Sequence, residues 1–330
     1  MQTRRLGQTG PPVSALGLGC MGMSDFYGPA DTATSVATIR DALNAGVTWL
    51  DTGDFYGMGH NELLIREALK DGGRDRAFIA VKFGVQRDPA GAFIGFDARP
   101  AAVKTALAYT LKRLGTDHVD LYQPARLDPA VPVEETVGAI ADLVKAGWVR
   151  HIGLSEMGPA TIRRAHATHP IAALQIEYSL MSRGVEASIL PVLRELGIGM
   201  TAYGVLSRGL IGGSAPRGAG DFRAQSPRFQ GENLARNQAL VAGLGALAAA
   251  RGATPAQLAI AWVLSRGPDI VPLVGARRPD RLAEALGALA LTLTARDLAA
   301  IEAALPAAAV AGARYDAHGM AALDSERGAA

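Results

Sequence analysis

Three ionisable residues that could act together as a proton donor follow two apolar stretches of the chain. Asp51 and Tyr56 lie five residues apart at the end of one predicted strand, and Lys82 ends the next. An ammonium near a phenol favours the phenolate, so we expect Lys82 to lower the pKa of Tyr56 from its usual value of about 10. The Asp51 carboxylate would hold that ammonium charged and in place. These are the parts of a general acid for the reduction of a carbonyl group.

The same three residues also fit a purely structural interpretation. Asp51 and Lys82 would then form an ordinary buried ion pair, and Tyr56 would be a loop aromatic residue. Ion-pair networks that only stabilise a fold also shift pKa values, so the local sequence alone leaves both interpretations open. The rest of the chain has to decide between them.

Composition and charge exclude several classes of protein. The 330 residues are 49% hydrophobic but only 5% aromatic, so aliphatic side chains must form the core. A formal net charge of +2 argues against a nucleic-acid-binding surface, which needs clustered basic residues. The single cysteine, Cys20, excludes disulfides, and no apolar run approaches the roughly 20 residues of a membrane span. We therefore expect a cytoplasmic protein with no membrane or nucleic-acid partner, whose oligomeric state the sequence leaves open.

Short apolar runs of strand type alternate with segments of helical period along the whole chain. The predicted strands span residues 15–18, 48–51, 78–82, 118–123, 149–155, 173–177, 199–203 and 270–275. Eight strand–helix units predict a parallel sheet that closes into a (β/α)8 TIM barrel, with an N-terminal hairpin below it and an extra C-terminal helix at 294–305. We expect residues 1–330 to form one domain, with a flexible tail from about residue 315 to 330.

A glycine pattern near the N-terminus is typical of a different fold but lacks the required context. Residues 17–22 read Gly-Leu-Gly-Cys-Met-Gly, which is a GxGxxG pattern after a strand. In a dinucleotide-binding domain of the Rossmann type, the third glycine opens a helix directly. Here Gly28 and Pro29 keep the chain in a loop until about Asp31. We interpret the segment as a strand end followed by a loop of the site.

Polar residues gather at the predicted C-terminal ends of the strands, where barrel enzymes carry their active sites. After the last strand, Gly275 is followed by Arg277, Arg278 and Arg281 at the start of a helix. Positive charge there opposes the helix dipole and is better explained by a bound phosphate than by helix stability. A solvated basic turn is the alternative. The glycine-rich loop at 204–213 would let backbone N–H groups approach a pyrophosphate.

Together these motifs resemble those of the aldo-keto reductases. The resemblance rests on Asp51 with Tyr56, on Lys82, on the segments 120–123, 126–129, 153–155 and 275–284, and on Gln175. It covers about residues 5–314. It implies a (β/α)8 barrel that binds NADP(H) without a Rossmann domain and reduces small aldehydes or ketones with NADPH. Tyr56 would be the general acid, tuned by Lys82 and Asp51.

The resemblance also implies a set of residues that bind the cofactor NADPH or NADP+. These residues are Ser155, Gln175, Tyr203, Leu206, Ser207, Gly209, Gly275, Arg277, Arg281 and Glu284. The first two would hold the nicotinamide carboxamide, and Tyr203 would stack on the ring. The next three would line the pyrophosphate. Arg277 and Arg281 would take the adenosine 2′-phosphate, and Glu284 the adenine.

The chain departs from the family pattern beside the expected substrate. The family usually has a histidine where this sequence has Ala125, and Glu156 and Ala285 stand where asparagines are common. The loss of the imidazole removes a hydrogen bond to the carbonyl but leaves the proton donor in place. The expected walls of the substrate pocket are Phe26, Tyr27, Phe55, Phe83 and Ala125.

A second function stays open on the same barrel. A regulatory or redox-sensing subunit would bind NADP(H) with weak catalysis, and the missing histidine gives that function some support. The presence of Asp51, Tyr56 and Lys82 favours the reductase, because binding alone would not require them.

Overall fold

The computed structural model describes residues 1–8, 10–216, 218 and 221–327. In chain order the strands are β1 (Thr3–Arg5), β2 (Pro12–Ser14), β3 (Gly17–Gly19), β4 (Trp49–Gly53), β5 (Phe78–Phe83), β6 (Val85–Arg87), β7 (Phe93–Phe96), β8 (Val119–Pro124), β9 (Val149–Ser155), β10 (Ile171–Glu177), β11 (Gly199–Tyr203) and β12 (Ile270–Gly275). The helices are α1 (Thr32–Asn44), α2 (His60–Leu69), α3 (Pro100–Leu114), α4 (Val133–Lys145), α5 (Pro159–Thr168), α6 (Ile189–Leu196), α7 (Gly231–Ala250), α8 (Pro255–Ser265), α9 (Pro279–Gly287), α10 (Ala295–Ala304) and α11 (Ala317–Ala321).

Eight of the described strands form a closed parallel barrel in the order β3-β4-β5-β8-β9-β10-β11-β12, and β12 pairs with β3 to close it. The predicted (β/α)8 barrel is confirmed, and each barrel strand lies within two residues of its predicted bounds. Helices cover the outside of the barrel, so its strands are buried on both faces and read as nearly continuous apolar runs. In β10 all seven residues are buried.

Sequence signals mark where the outer helices begin and end. Proline stands in the first turn of α3, α5, α8 and α9, where its missing N–H leaves no hydrogen bond unmade. Gly115 closes α3 in the left-handed region with φ of 67°. Such signals let the local sequence encode where most of these helices begin and end. The exception is α6, which begins at Ile189 after a separate 3-10 turn at Gly184–Glu186.

The N-terminal hairpin closes the lower end of the barrel, as predicted. Strands β1 and β2 pair in antiparallel fashion. Leu6 and Val13 pack with Trp49 inside the lower barrel. A Cβ on Gly17 would lie 2.9 Å from the indole of Trp49, so only glycine fits there. The predicted hairpin turn includes Thr9, which lies outside the described residues.

Two regions lie outside the strand–helix repeat. A long connection with α7 separates β11 from β12 and contributes a loop to the upper end of the barrel. The C-terminal segment follows α10 and returns across the same end. In its described part, the Asp324 carboxylate accepts a hydrogen bond from the Gly158 N–H at 2.7 Å. The flexibility expected from about residue 315 stays a prediction. Residues 328–330 lie outside the described part of the chain.

The length and apolar composition of the described helices bear on whether any of them could span a membrane. Over the described residues, no single helix has both the length and the apolar composition needed to cross a membrane. Only α7 and α8 taken together, with a bend of 87° between them, reach that length and composition.

Candidate active site

A cavity of about 750 Å³ opens at the C-terminal end of the barrel. Every barrel strand contributes to its wall, from its C-terminal half or from the residue that follows it. In strand order these residues are Gly19, Asp51, Lys82, Ala125, Ser155, Gln175, Tyr203 and Gly275. This is the end at which barrel enzymes place their chemistry.

The structure brings the three predicted catalytic residues together. The Lys82 ammonium donates to Asp51 Oδ1 at 2.5 Å, and both side chains are buried. The Gln175 amide donates to Asp51 Oδ2 at 2.6 Å, so both carboxylate oxygens are held. The Lys82 nitrogen lies 5.1 Å from the centre of the Tyr56 ring. Tyr56, in a 3-10 turn after β4, is 5% exposed and forms part of the cavity wall.

The expected fall in the pKa of Tyr56 is not found. Burial raises the pKa of Tyr56 well above 10, and the negative charge of Asp51 raises it further. The opposite charges of Asp51 and Lys82 lie side by side, so their effects on the phenol oppose each other. The cation that does lower the pKa of Tyr56 is Arg126. The phenol therefore keeps its proton at neutral pH, as a proton donor must.

Backbone strain is concentrated around the cavity. Among the described residues, the non-glycine residues with positive φ are Phe26, Met58, Glu156, Ser207 and Arg208. Each lies in the cavity wall or within two residues of a residue that does. Such conformations cost on the order of 1–3 kcal/mol each and persist at functional sites, where the surrounding structure enforces them.

The structure places four of the five residues expected around the substrate in the cavity wall, and the fifth elsewhere. Phe26, Tyr27 and Phe55 lie in the cavity wall, and Phe55 packs edge-on against the Tyr56 ring at 4.8 Å. Phe83 does not line the cavity. It is fully buried and stacks on Tyr122 at 4.3 Å, because its side chain points outward from β5 toward the helices. The alternation of side chains along β5 places Lys82 inward and therefore Phe83 outward.

The predicted nicotinamide-binding residues lie in one part of the cavity wall. Ser155, Gln175 and Tyr203 line it at the ends of adjacent strands. Among the described residues, Ser155 Oγ is buried without a hydrogen-bond partner, although a buried hydroxyl normally has one. An amide group of a bound cofactor would supply that partner. The residues present therefore fit a nicotinamide carboxamide at this position.

The residues expected to bind the remainder of the cofactor line the same cavity, with one exception. Leu206, Gly209, Gly275, Arg277, Arg281 and Glu284 lie in its wall. Ser207 does not, because its buried hydroxyl lies 3.3 Å from that of Ser179. Arg277 donates to the Tyr27 carbonyl oxygen at 3.2 Å, and Arg281 donates to Glu284 at 2.8 Å. The guanidiniums of Arg277 and Arg281 thus both lie in the cavity wall near the N-terminus of α9.

The sequence analysis missed a buried charged network on one side of the cavity. Arg314 of the C-terminal segment donates to both carboxylate oxygens of Glu156, at 2.7 and 2.6 Å. Tyr203 donates to the same carboxylate at 2.7 Å, and its hydroxyl lies 3.0 Å from that of Tyr315. Arg126 completes the network by donating to the Tyr315 hydroxyl at 3.3 Å. No local signal could have predicted these contacts, since they join residues that are between 47 and 189 positions apart.

Comparison with known proteins supports the family suggested by the site. The model of the aldo/keto reductase family matches residues 15–306. The chain belongs to the aldo/keto reductase family. A protein of Glycine max called probable aldo-keto reductase 1 is 44% identical over 326 residues, which cover 96% of this chain and 92% of that protein. The protein is therefore an oxidoreductase that uses a nicotinamide cofactor and acts on carbonyl compounds.

Solved structures of aldo/keto reductases share this fold. The glycerol dehydrogenase of Gluconobacter oxydans superposes with a TM-score of 0.83 at 28% identity, over 92% of this chain and 94% of that one. An aldo-keto reductase of Bacillus halodurans, solved in its holo form, gives a TM-score of 0.78 at 27% identity, over 96% and 99% of the two chains.

Proposed function

We propose that this aldo/keto reductase uses NADPH to reduce aldehydes or ketones to alcohols, with Tyr56 as the proton donor. One observation carries the proposal: the phenol of Tyr56 lies in the cavity wall, beside the buried ion pair of Lys82 and Asp51. When bound, the nicotinamide supplies the hydride to the carbonyl carbon. The Tyr56 hydroxyl supplies the proton to the carbonyl oxygen.

The buried ion pair has a defined task in this scheme. Loss of the proton leaves a negative phenolate in a cavity with a low dielectric constant, where the positive charges of Lys82 and Arg126 nearby stabilise it. Asp51 keeps Lys82 charged, because burial alone lowers the pKa of the lysine and the carboxylate opposes that change. Gln175 fixes the second oxygen of Asp51 and so limits the orientations of the carboxylate.

The preference for NADPH is proposed from the two guanidiniums at the start of α9. Arginine binds a phosphate through charge-assisted hydrogen bonds, and NADH lacks the 2′-phosphate. We expect Arg281→Ala to weaken NADPH binding by about 10- to 100-fold, the range for loss of a charged hydrogen bond. NADH binding should change far less. Equal weakening of both cofactors, measured by protein fluorescence, would mean that Arg281 contacts a part that they share.

A regulatory or redox-sensing subunit is the second candidate. The observation in its favour is Ala125, which lines the cavity beside Tyr56 and offers no hydrogen-bond donor from its side chain. Stopped-flow measurement of NADPH fluorescence with a panel of aldehydes separates the two functions. The reductase oxidises NADPH in repeated turnovers, whereas a sensor binds it and quenches its fluorescence without turnover.

The remaining features of the proposal concern location and partners. The partner is a small carbonyl compound, since the cavity is enclosed by barrel loops and aromatic side chains. The cytoplasm fits the lone buried thiol of Cys20, which has no other cysteine to pair with. Fractionation of the native cell would test the location.

A further inference from the structure

The reduction scheme assigns no ligand to Arg126, a charged residue of the cavity wall. We propose that Arg126 binds a negatively charged group of the substrate, so that the enzyme prefers aldehydes or ketones that carry a carboxylate. The proposal rests on the reductase function above and defines the class of its substrate.

Neutral groups of the protein hold the Arg126 guanidinium in the wall. It follows β8 directly and lines the cavity together with Ala125 and Tyr56. One terminal nitrogen donates to the Ala125 carbonyl oxygen at 2.6 Å, and the other donates to the Tyr315 hydroxyl at 3.3 Å. The ring of Tyr315 lies 6.0 Å from the guanidinium carbon. A guanidinium has five N–H donors, so these two bonds leave donors for a ligand.

Other arginines of the cavity wall have carboxylate partners. Arg208 pairs with Glu177 at 3.2 Å, and Arg223 pairs with Asp221 at 2.6 Å. Arg126 differs from these arginines: within the described part of the chain, no carboxylate oxygen lies within 4.0 Å of its guanidinium nitrogens. A partly buried cation without a counter-ion is costly, because buried charges are normally paired.

The carboxylate whose negative charge acts on Arg126, that of Glu156, already has another arginine as its partner. The negative charge of Glu156 acts on Arg126, but Arg314 donates to both of its carboxylate oxygens. Ser325 donates to the same group at 2.6 Å. Glu156 therefore belongs to the anchor of the C-terminal segment, and a counter-ion for Arg126 has to come from the cavity.

The position of Arg126 suits a substrate whose carbonyl group lies at Tyr56. Arg126 lines the same cavity as Tyr56 and Lys82 and directly follows Ala125, which also lies in the wall. Ala125 has a single methyl group as its side chain, which leaves room next to the guanidinium. A planar carboxylate matches the fork of an arginine through two parallel hydrogen bonds, whereas a neutral ester makes only weak contacts with it.

Three pairs of aromatic aldehydes test the proposal and measure the reach of the site. The 2-, 3- and 4-carboxybenzaldehydes are compared with their methyl esters, which keep the aldehyde and the ring but lack the charge. We expect the wild-type enzyme to show at least a tenfold higher kcat/KM for one or more acids than for the matching ester, as for loss of one charged hydrogen bond. Arg126→Met should abolish that preference, and Arg126→Lys should keep part of it.

The controls separate the possible roles of the guanidinium. NADPH affinity and the unfolding temperature should change little in Arg126→Met, and Arg99→Met, at an exposed arginine paired with Asp97, should behave as wild type. Equal kcat/KM for acids and esters in the wild type would overturn the proposal. Loss of the same factor for acids and esters in Arg126→Met would show that the guanidinium acts only on the reacting groups that all substrates share, such as Tyr56. A large loss of NADPH affinity would place it on the cofactor. Either result overturns the proposal.

A failure of the reductase function is distinguishable from a failure of the anion site. If the wild type oxidises neither NADPH nor NADH with any of these aldehydes, the proposed function is wrong. Calorimetric titration with benzoate and with methyl benzoate still tests the site. Benzoate binding that Arg126→Met removes supports the anion site, and equal affinity for the two ligands contradicts it.

Discussion

Asp54 lies between Asp51 and Tyr56 in the sequence. Its surroundings disfavour the ionised form of its carboxyl group. Its backbone N–H donates to the Lys82 carbonyl oxygen at 2.9 Å, which fixes the loop after β4. Among the described residues, its Oδ1 is buried without a hydrogen-bond partner. Burial, followed by the negative charge of Glu62, raises the pKa of Asp54 to about 7, and Arg113 opposes the rise.

This environment predicts a dependence of stability on pH. The pKa of Asp54 is about 7 in the folded protein and 3.8 without the shift, so the folded state holds a proton that the unfolded state loses. The free energy of unfolding should therefore fall as the pH rises from about 4 to about 7. Asp54→Asn should remove this loss and stabilise the protein at pH 8 by on the order of 1–4 kcal/mol.

Urea unfolding at pH 4 and pH 8 measures the effect. The stability difference between Asp54→Asn and the wild type should be larger at pH 8, because only a small part of the loss has accumulated at pH 4, which lies close to the unfolded pKa of 3.8. A difference that is the same at both pH values would show that the carboxylate is not destabilised by burial.

Ala125 gives a second test at the scale of one residue. Its methyl group lines the cavity, and its N–H donates to the Phe83 carbonyl oxygen at 2.8 Å, so the backbone position is fixed by the barrel. Ala125→His should raise the turnover of small aldehydes by about a hundredfold, the typical effect of one donor to a developing oxyanion. The larger side chain should also narrow the range of substrates.

Ala125→Leu is the matched control for this substitution, because it fills the same space without a hydrogen-bond donor. It should narrow the range of substrates without raising the turnover of any. Steady-state kinetics with a series of aldehydes of increasing size gives both quantities. If Ala125→His alters neither rate nor range, residue 125 does not face the carbonyl group.

At the scale of elements, the C-terminal segment is held to the barrel by buried charges. Arg314 and Ser325 both donate to the carboxylate of Glu156, the residue that follows β9. Burial alone would raise the pKa of Glu156, but the hydrogen bonds and charge of Arg314 lower it to about 2. The carboxylate therefore remains ionised through the neutral range, and the segment stays anchored beside the cavity.

Breaking this pair should release the segment. Removal of one partner of a buried ion pair typically costs about 3–5 kcal/mol, whereas an exposed pair contributes about 1 kcal/mol or less. Arg314→Met should speed hydrogen exchange of residues 315–327, as measured by mass spectrometry. Arg163→Met is the control, since Arg163 makes a similar two-bond contact with Glu195 on the surface. Unchanged exchange in Arg314→Met would mean that other contacts hold the segment.

At the scale of the whole molecule, the barrel has one apolar end and one polar end. The lower end is filled by the apolar cluster around Trp49 and covered by the N-terminal hairpin. The upper end holds the buried ion pair, the strained loops and the cavity. The stable closed end allows the open end to keep buried charges and unfavourable backbone conformations, which lower stability but serve the site.

The repeat of strands and helices made the barrel predictable, because each unit is encoded by local apolar patterns and by prolines or glycines at its ends. Asp51, Lys82 and Gln175 were predictable for the same reason, since each stands at the end of a recognisable strand. The pairing of Arg314 with Glu156 was not, because 158 residues separate them and nothing local marks either partner. Phe83 was misplaced because the sequence shows that an aromatic residue ends a strand but not which way it faces.

The electrostatics of the site were also beyond the sequence. The local pattern predicts that Lys82 acts on Tyr56 but contains no measure of burial, which dominates the pKa of the phenol. The guanidinium of Arg126 becomes relevant only when the fold brings it into the same cavity.

The central claim is that Tyr56 delivers the proton, and Tyr56→Phe tests it most directly. The substitution removes one hydroxyl and keeps the ring that packs on Phe55. Single-turnover oxidation of bound NADPH by an aldehyde should slow by at least about a hundredfold, as for loss of a general acid, while the dissociation constant of NADPH stays within about twofold of the wild type. Single turnover in Tyr56→Phe at a rate close to that of the wild type would contradict the account, because the proton would then have to come from another group.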